Sequence, residues 1–503
     1  MITPLKLIRP IDKLERYNVT RSNVNIYNNV IIGNRIHYSL PNTPTTTQQW
    51  VRLLHTPLAQ LFDQHVLLTV VVGSHLSAKP VFLHLPAVDI SSTVRTLTIP
   101  TPNDIGAVLE DEHNMPFDLS SQTDPLWRIV IAQIENDQSF YLLFSFHHVI
   151  ADGRSAMSLT EQLIHLLNSS QGSSEETSSI IPVTSTKSIP DAIETRIDCS
   201  PSLRTLLCEV TRAIFLPGFM KKALETRYWA GEIDSSLDCP NETQLGYLQF
   251  SKAETSQIVA AAKTHRTTVQ ALLYTASVFA TKSVFMSRDD RIGQEENTSE
   301  ALVFATPVSL RGLIPDPIAP EDMGNYTSEI LHDNICVAHE SSYWEMTSAY
   351  RKQVVHGMTT PRGLQDLLEH FGMLKFLSTK DGGWEEFMKS KVSKDQHGRK
   401  ASVKLSNLGR GWDSVVEKGD ENRAFTVVDG VFSQSSGVTA SALTMSAATA
   451  NGVLTVATTW QKAGFRGRER ADLFVKEFQR ILFEAIEPTR QEYLFRDALQ
   501  GRY

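Results

Sequence analysis

The sequence predicts an α/β protein built from two domains, and three observations lead to this prediction. The chain has 503 residues, about three times the ~150 residues of an average domain. Runs of β-branched and aromatic residues, typical of strands, alternate with helical spacing of leucines in both halves. Between residues 169 and 188, eleven of twenty residues are Ser or Thr, which bury too little apolar surface to fold alone. We therefore expect domains at 1–180 and 201–503, joined by a crossover linker at 181–200.

The elements of the first half follow from local patterns. The apolar run 66–72 predicts a buried strand. The runs 127–134 and 139–146 are rich in β-branched and aromatic residues and are joined by a short polar turn, which indicates a β-hairpin. After Gly153, leucines recur at positions i, i+4, i+7 and i+8, which predicts a helix directly after the hairpin.

The second half repeats this alternation. The segment 203–219 is apolar with few charges, and we expect a helix that packs on its own domain, with a surface-bound helix as the alternative. A helix begins within 267–273, and strands are predicted at 301–305 and 453–457. The polar stretch 380–404 predicts a long loop or a frayed helix end.

Charge and cysteine content exclude several classes of protein. Lys and Arg number 48 and Asp and Glu number 56, a net charge of −8, so we expect no nucleic-acid partner. The four cysteines contain no C-x-x-C pair, which indicates neither a disulfide scaffold nor a thiolate metal site and fits a reducing compartment. The N-terminus lacks the apolar core of a secretory signal. We expect a cytoplasmic monomer that does not associate with membranes.

The strongest local motif is His147-His148-Val-Ile-Ala-Asp152-Gly153, which lies where the predicted strand gives way to a loop and a helix. A chance H-H-x-x-x-D-G is expected on the order of once in a thousand such chains. A histidine at a strand end is held rigidly, and its near-neutral pKa suits a general base. Asp152 could fix the turn by pairing with a cation or accepting backbone N–H bonds. Gly153 would supply a backbone conformation closed to other residues.

Three alternatives compete with a base acting directly on substrate. A metal site could use both histidines and the aspartate, but no H-E-x-x-H and no third ligand at a recognisable spacing are present. The two histidines could be purely structural. A serine hydrolase would need an activated serine, and the chain has no G-x-S-x-G. The remaining interpretation is a histidine that removes a proton from a substrate hydroxyl or amine.

The motif resembles the signature of the acyl-CoA-dependent acyltransferase and condensation-domain superfamily. The opening segments 9–17 and 25–30 are similar to the start of the fungal alcohol acetyltransferase family. Shorter similarities extend this resemblance over nearly the whole chain, at 125–128, 267–273, 307–311, 323–326 and 406–409.

The resemblance implies two chloramphenicol-acetyltransferase-like domains side by side, with the active site in a tunnel between them. It also implies that His148 is the base and that Asp152 orients it by pairing with an arginine, for which Arg311 is the candidate. The D-F-G-W-G motif of the plant branch is absent, so that branch's substrates are not carried over. The segment 406–409 takes the comparable place.

The reaction implied is acetyl transfer from acetyl-CoA to a hydroxyl of a small molecule, such as a fungal secondary metabolite. Acetyl-CoA would be a co-substrate, with no tightly bound cofactor and no metal. The developing oxyanion needs fixed donors, for which the candidates are the Gly153 N–H, Asn407 and Ser436.

Candidate contacts for the nucleotide of coenzyme A come from a basic stretch. Residues 389–410 contain seven basic residues against one acidic residue, a net charge of +6 in an acidic protein. Such a cluster attracts phosphates, and Lys400, Lys404 and Arg410 are the predicted contacts. A solvated loop is the alternative.

Two enzyme classes and one non-enzyme class rival this prediction. A condensation-type catalyst would take its acyl group from a carrier-protein thioester, and an N-acyltransferase would use an amine acceptor. A catalytically silent binding protein could share the fold, although retention of His148, Asp152 and Gly153 together argues against it.

Overall fold

The structure is a computed structural model that describes residues 5–39, 44–169, 178–211, 228–232, 241–286, 301–374, 377, 379–392, 398–416 and 423–500. The strands in these ranges are β1 (Lys6–Pro10), β2 (Val30–Tyr38), β3 (Val70–Gly73), β4 (Val81–His84), β5 (Ala87–Asp89), β6 (Val94–Ile99), β7 (Trp127–Ile134), β8 (Ser139–Phe146), β9 (Ile180–Pro182), β10 (Thr243–Phe250), β11 (Leu302–Ser309), β12 (Thr327–Ile335), β13 (Ala401–Arg410), β14 (Phe425–Gln434), β15 (Ser441–Ala450) and β16 (Val453–Gln461).

The helices in the same ranges are α1 (Lys13–Asn23), α2 (Thr47–Gln64), α3 (Ile105–His113), α4 (Gly153–Ser169), α5 (Ile193–Arg196), α6 (Leu203–Val210), α7 (Lys252–Thr264), α8 (Val269–Met286), α9 (Tyr343–Thr359), α10 (Pro361–Met373), α11 (Gly383–Val392), α12 (Arg468–Ala485) and α13 (Phe495–Gln500). None of these helices combines the length and the apolar content needed to cross a membrane.

A five-stranded sheet forms the centre of the first half, in the order β14-β2-β8-β7-β6. Strands β7 and β8 pair antiparallel as predicted, and Asn136 in their turn takes a positive φ of 57°, a conformation that Asn tolerates. Helix α4 follows and buries Leu159, Leu163 and Leu167, because residues at these spacings lie on one helical face. The sheet edge is completed by β14, which comes from the second half of the chain and pairs with β2.

A six-stranded sheet forms the centre of the second half, in the order β10-β16-β15-β13-β11-β12. Its middle strands are buried along almost their whole length. The apolar helix α8 is buried on nearly every side and packs on the sheet together with α12. The mixed α/β architecture with a large sheet in each half is the predicted fold class. The predicted boundaries at 181–200 stay a prediction.

Two element predictions are wrong and one is only partly covered. Residues Val66–Thr69 form a 3₁₀ turn, and the strand begins at Val70, because a short apolar run does not distinguish a strand from a buried turn. The described part of the stretch 380–404 is neither a long loop nor a frayed helix end: it contains α11, whose acidic first turn and basic last turn complement the helix dipole, and the start of β13. Of the segment 203–219, α6 covers the first part, while 212–219 lie outside the described residues.

Candidate active site

A cavity of about 550 Å³ is lined by residues from both halves of the chain. Its volume falls within the ~300–1,000 Å³ typical of small-molecule sites. Residues of α1, β11, β12 and β13 line its wall, together with the motif loop that follows β8. The polar residues on this wall include Asn18, Arg21, His148, Asn325, Lys404 and Asn407.

His148 lies on the wall of this cavity, two residues after β8, and is partly exposed to it. The side chain of Asn325 donates a hydrogen bond to its backbone carbonyl at 3.1 Å, and Asn18 donates to the same oxygen at 3.2 Å. The Nδ2 atom of Asn325 also lies 3.1 Å from the ring Nδ1. No hydrogen bond to Nε2 is present among the described residues. One ring nitrogen is therefore surrounded by protein, while the other is available to a ligand.

The surroundings of His148 keep its imidazole neutral. Burial lowers its pKa to about 4, and the charges of Arg21 and Lys404 add to the shift. The charge of Asp152 and a hydrogen bond to the residue's own backbone act in the opposite direction. At neutral pH the ring is therefore unprotonated and can accept a proton.

His147 is buried and is part of the protein interior. Its Nε2 lies 2.7 Å from the Ser22 hydroxyl, and its Nδ1 accepts a hydrogen bond from the Val149 N–H at 3.1 Å. Burial lowers its pKa to about 3. Because both ring nitrogens are used, His147 serves as a neutral structural link between α1 and the motif loop.

Asp152 and Arg311 form a buried ion pair that joins the two halves. The Arg311 Nη2 lies 3.2 Å from both carboxylate oxygens. Asp152 also accepts hydrogen bonds from the backbone N–H groups of Ser155 at 2.8 Å and Tyr326 at 3.1 Å. The guanidinium donates to two further carbonyls and stacks over the Tyr326 ring. This network fixes the motif loop against the segment that carries Asn325.

The role expected for Gly153 needs correction. It is the first residue of α4, and its φ is not positive, so no special backbone conformation is required. A Cβ at this position would lie 2.7 Å from Leu408 Cδ2. A larger residue here would therefore require the Leu408 side chain to move, because the start of α4 and the strand β13 approach closely at the cavity wall.

The two oxyanion candidates in the second half have different positions. Asn407 lies on the cavity wall. Its Oδ1 accepts a hydrogen bond from the Gly409 N–H at 2.8 Å, so its amide nitrogen takes no part in this hydrogen bond. The pairing of β13 with β15 shifts register between Asn407 and Arg410, a bulge that Gly409 permits with a φ of 73°. Ser436 is not on the wall: it is buried and bonded to Thr243 and Asn241. Its hydroxyl therefore forms hydrogen bonds in the protein interior and does not face the cavity.

The predicted basic stretch does not form one surface. Lys400 and Lys404 line the cavity, whereas Arg410 is exposed and pairs with Asp413 at 3.2 Å. Arg399 is 3% exposed and donates to backbone carbonyls, so it has a structural role. Lys394 and Asp395, which also entered the net charge, lie outside the described residues.

Three residues next to His148 were missed from the sequence. Asn18 and Arg21 come from α1, more than a hundred residues before the motif, and Asn325 follows β11 in the second half. Asn325 lies within the 323–326 segment that carried the family resemblance, which was the one available signal. Among the described residues, no group of three His, Cys, Asp or Glu side chains could hold a metal ion.

Comparisons with known proteins identify the family and support the fold. The family described as alcohol acetyltransferase matches residues 107–482. A probable alcohol acetyltransferase, crmB of Aspergillus fumigatus, is 25% identical over 171 residues, which are 32% of this chain and 37% of that protein.

Solved structures share the fold at low sequence identity. The trichothecene 15-O-acetyltransferase TRI3 of Fusarium sporotrichioides has a TM-score of 0.63 at 13% identity, covering 94% of each chain. The epimerization domain of the third module of tyrocidine synthetase B has a TM-score of 0.58 at 14% identity, covering 99% of each chain. The chain thus has the two-domain, chloramphenicol-acetyltransferase-like fold of acyltransferases and condensation domains. Since the family match covers most of its length and includes the histidine motif, the chain belongs to the alcohol acetyltransferase family.

Proposed function

We propose that the chain transfers an acetyl group from acetyl-CoA to a hydroxyl of a small molecule, with His148 as the general base. The observation that carries this proposal is the position of one imidazole on a cavity of about 550 Å³ shared by both halves. The family implies an acyl-CoA donor, and two similar proteins are named for acetylation of a hydroxyl or an alcohol. Both relatives are fungal, which supports a secondary metabolite as acceptor.

The tautomer of His148 decides whether it can act as a base. A hydrogen bond between the ring and the residue's own backbone raises its pKa, which requires a ring N–H that donates to the carbonyl. We take Nδ1 as the nitrogen that donates to this carbonyl, whose oxygen also accepts from Asn325 Nδ2 at 3.1 Å. In that tautomer the 3.1 Å contact between Asn325 Nδ2 and Nδ1 joins two donors and is not a hydrogen bond. With its hydrogen on Nδ1, the ring keeps a free lone pair on Nε2. In the proposed reaction, that lone pair takes the proton of the acceptor hydroxyl.

The reaction has two steps: the acceptor oxygen attacks the thioester, and the tetrahedral intermediate then breaks down. His148 Nε2 takes the hydroxyl proton as the acceptor oxygen bonds to the thioester carbonyl carbon, and a tetrahedral oxyanion forms. The C–S bond breaks on collapse, the ester is released, and the thiolate takes the proton back from the imidazolium. A thiol has a pKa near 8.5, so the thiolate leaves far more readily than an alkoxide. General-base help of this kind contributes about 10²–10⁴-fold to the rate.

Donors for the oxyanion are available on the same wall. Asn407 is the main candidate, because its Oδ1 is held by the Gly409 N–H and its amide N–H groups remain for a ligand. The Gly153 N–H at the start of α4 is the second, since the first N–H groups of a helix lack intrahelical partners. Each fixed donor contributes roughly 2.7–4 kcal/mol to such a transition state.

A labelling experiment tests the proposed reaction. The purified protein is incubated with isotopically labelled acetyl-CoA and a metabolite extract, and labelled products are identified by mass spectrometry. We expect a labelled acetate ester that forms only when the protein is present. Transfer that requires an acyl-loaded carrier protein would replace the proposal with a condensation-type reaction, and a labelled amide would replace it with N-acylation.

A further inference from the structure

Positive charge exceeds negative charge on the wall of the catalytic cavity. The charged residues that the structure describes there are Arg21, Arg154, Lys400 and Lys404 against Glu329. Lys400 Nζ lies 3.2 Å from Glu329 Oε1, so these two charges offset each other. Arg154 is exposed to solvent. The charges of Arg21 and Lys404 remain inside the cavity.

Neither of these two cations lies within ion-pair distance of a carboxylate in the described part of the chain. Arg21 donates to the Asn18 side chain, and its Nε atom is buried without a hydrogen-bond partner. Its guanidinium stacks 4.9 Å from the Tyr17 ring and 4.0 Å from the Tyr27 ring. Burial lowers the pKa of Lys404, and the charge of Glu329, which is paired with Lys400, acts in the opposite direction. One carboxylate therefore faces more than one cation. The positive charge left over on this buried wall is costly, and this cost falls when an anion binds there.

Both cations line the same cavity wall as the base, and the charge of each lowers the pKa of His148. Arg21 stacks on Tyr27, whose ring centroid is 6.2 Å from that of His148. Arg21 is also linked through Asn18 to the His148 carbonyl. The phosphates of coenzyme A are separated from its thioester by the whole pantetheine arm. An anion held this close to the base therefore belongs to the acceptor.

Resting on the proposed function, we propose that Arg21 and Lys404 bind a carboxylate of the acceptor, so that the substrate class is a hydroxy acid. The carboxylate would accept charge-assisted hydrogen bonds from both cations, an interaction about twice as strong as a neutral hydrogen bond. Its negative charge would also offset the two charges that lower the pKa of His148. Binding of the acceptor would thus make the base stronger at the moment it is needed.

Direct binding tests this proposal without any turnover. The probes are hexanoate and hexanol, which have the same chain and differ in charge, and affinity is measured by titration calorimetry. We expect wild type to bind hexanoate at least tenfold more tightly than hexanol. Lys404→Met should remove this preference, whereas Lys389→Met, which deletes the same charge on the exposed side of α11, should keep it. Equal affinity of wild type for the two probes would overturn the proposal, even if Lys404→Met does not fold.

A kinetic comparison separates the acceptor from the donor as the source of the anion. With ω-hydroxyhexanoate and its methyl ester as acceptors, we expect wild type to prefer the acid by at least tenfold in kcat/KM, and Lys404→Met to lose the preference. The KM for acetyl-CoA and for acetyl-pantetheine should change alike in the variant. A raised KM for acetyl-CoA alone would overturn the proposal and assign the cations to its phosphates. Preferential hexanoate binding without any acetyl transfer would refute the proposed function but not the carboxylate site.

Discussion

The ion pair between Asp152 and Arg311 permits a quantitative test of how the two halves are held together. Asp152 is 0% and Arg311 6% exposed, and breaking a buried pair by removing one partner costs about 3–5 kcal/mol. We expect Asp152→Asn and Arg311→Met each to lower the free energy of unfolding by about this amount. Because either change already breaks the pair, the double variant should lose about 1–3 kcal/mol less than the sum of the single losses.

The assay is denaturant unfolding of the four proteins of this cycle, with acetyl transfer measured in parallel. Activity should fall with each single change, because the pair positions the loop that carries His148 against Asn325. A matched surface cycle on Arg496 and Glu340, which lie 2.7 Å apart but are 49% and 68% exposed, should give a coupling of about 0–1 kcal/mol. Strictly additive losses at Asp152 and Arg311 would refute the reasoning.

Two further predictions concern space and pH. Gly153→Ala should lower the free energy of unfolding by about 1–3 kcal/mol, because its Cβ would meet Leu408 at 2.7 Å. Adding Leu408→Ala to this variant should recover part of the loss. An unchanged free energy of unfolding in Gly153→Ala would disprove the contact. His113 and His147 are buried, and burial lowers their pKa values to about 3, so between pH 6.5 and pH 3 these two groups bind more protons in the unfolded chain than in the folded one. The free energy of unfolding should therefore be unaffected by them above pH 6.5 and should fall as the pH drops toward 3, by up to about 1.4 kcal/mol per pH unit for each histidine. Urea unfolding between pH 7 and pH 4 measures this decline, which should be shallower in His113→Gln.

Local patterns predicted the parts of the fold that depend on neighbouring residues. Strong periodic patterns mark the hairpin of β7 and β8 and the helix α4. The histidine motif between them is a single continuous segment, so it can be recognised without knowing the tertiary structure. The fold class followed from the same signals. The helix α11 was missed because its many charges obscured the buried positions Trp384, Met388 and Val392, which lie one turn apart.

The site itself depends on contacts between distant parts of the chain, which carry no local signal. Pairing of β14 with β2 places residues near position 430 in the sheet of the first half, and α1 brings Asn18 and Arg21 to the base. Only its polarity makes Ser436 an oxyanion candidate, and in the structure its hydroxyl is hydrogen-bonded to Thr243. Which polar groups face a cavity is decided by tertiary packing, so a sequence identifies their type but not their direction.

The turnover of a His148→Ala variant tests the central claim most directly. A mutant that still folds should lose about 10²–10⁴-fold in kcat with its KM for acetyl-CoA little changed, since the imidazole acts on the acceptor. His339→Ala, which removes an exposed histidine far from the motif in sequence, should retain wild-type activity under the same conditions. We predict a large loss for His148→Ala alone, and wild-type turnover by that variant would contradict the assignment of His148 as the base.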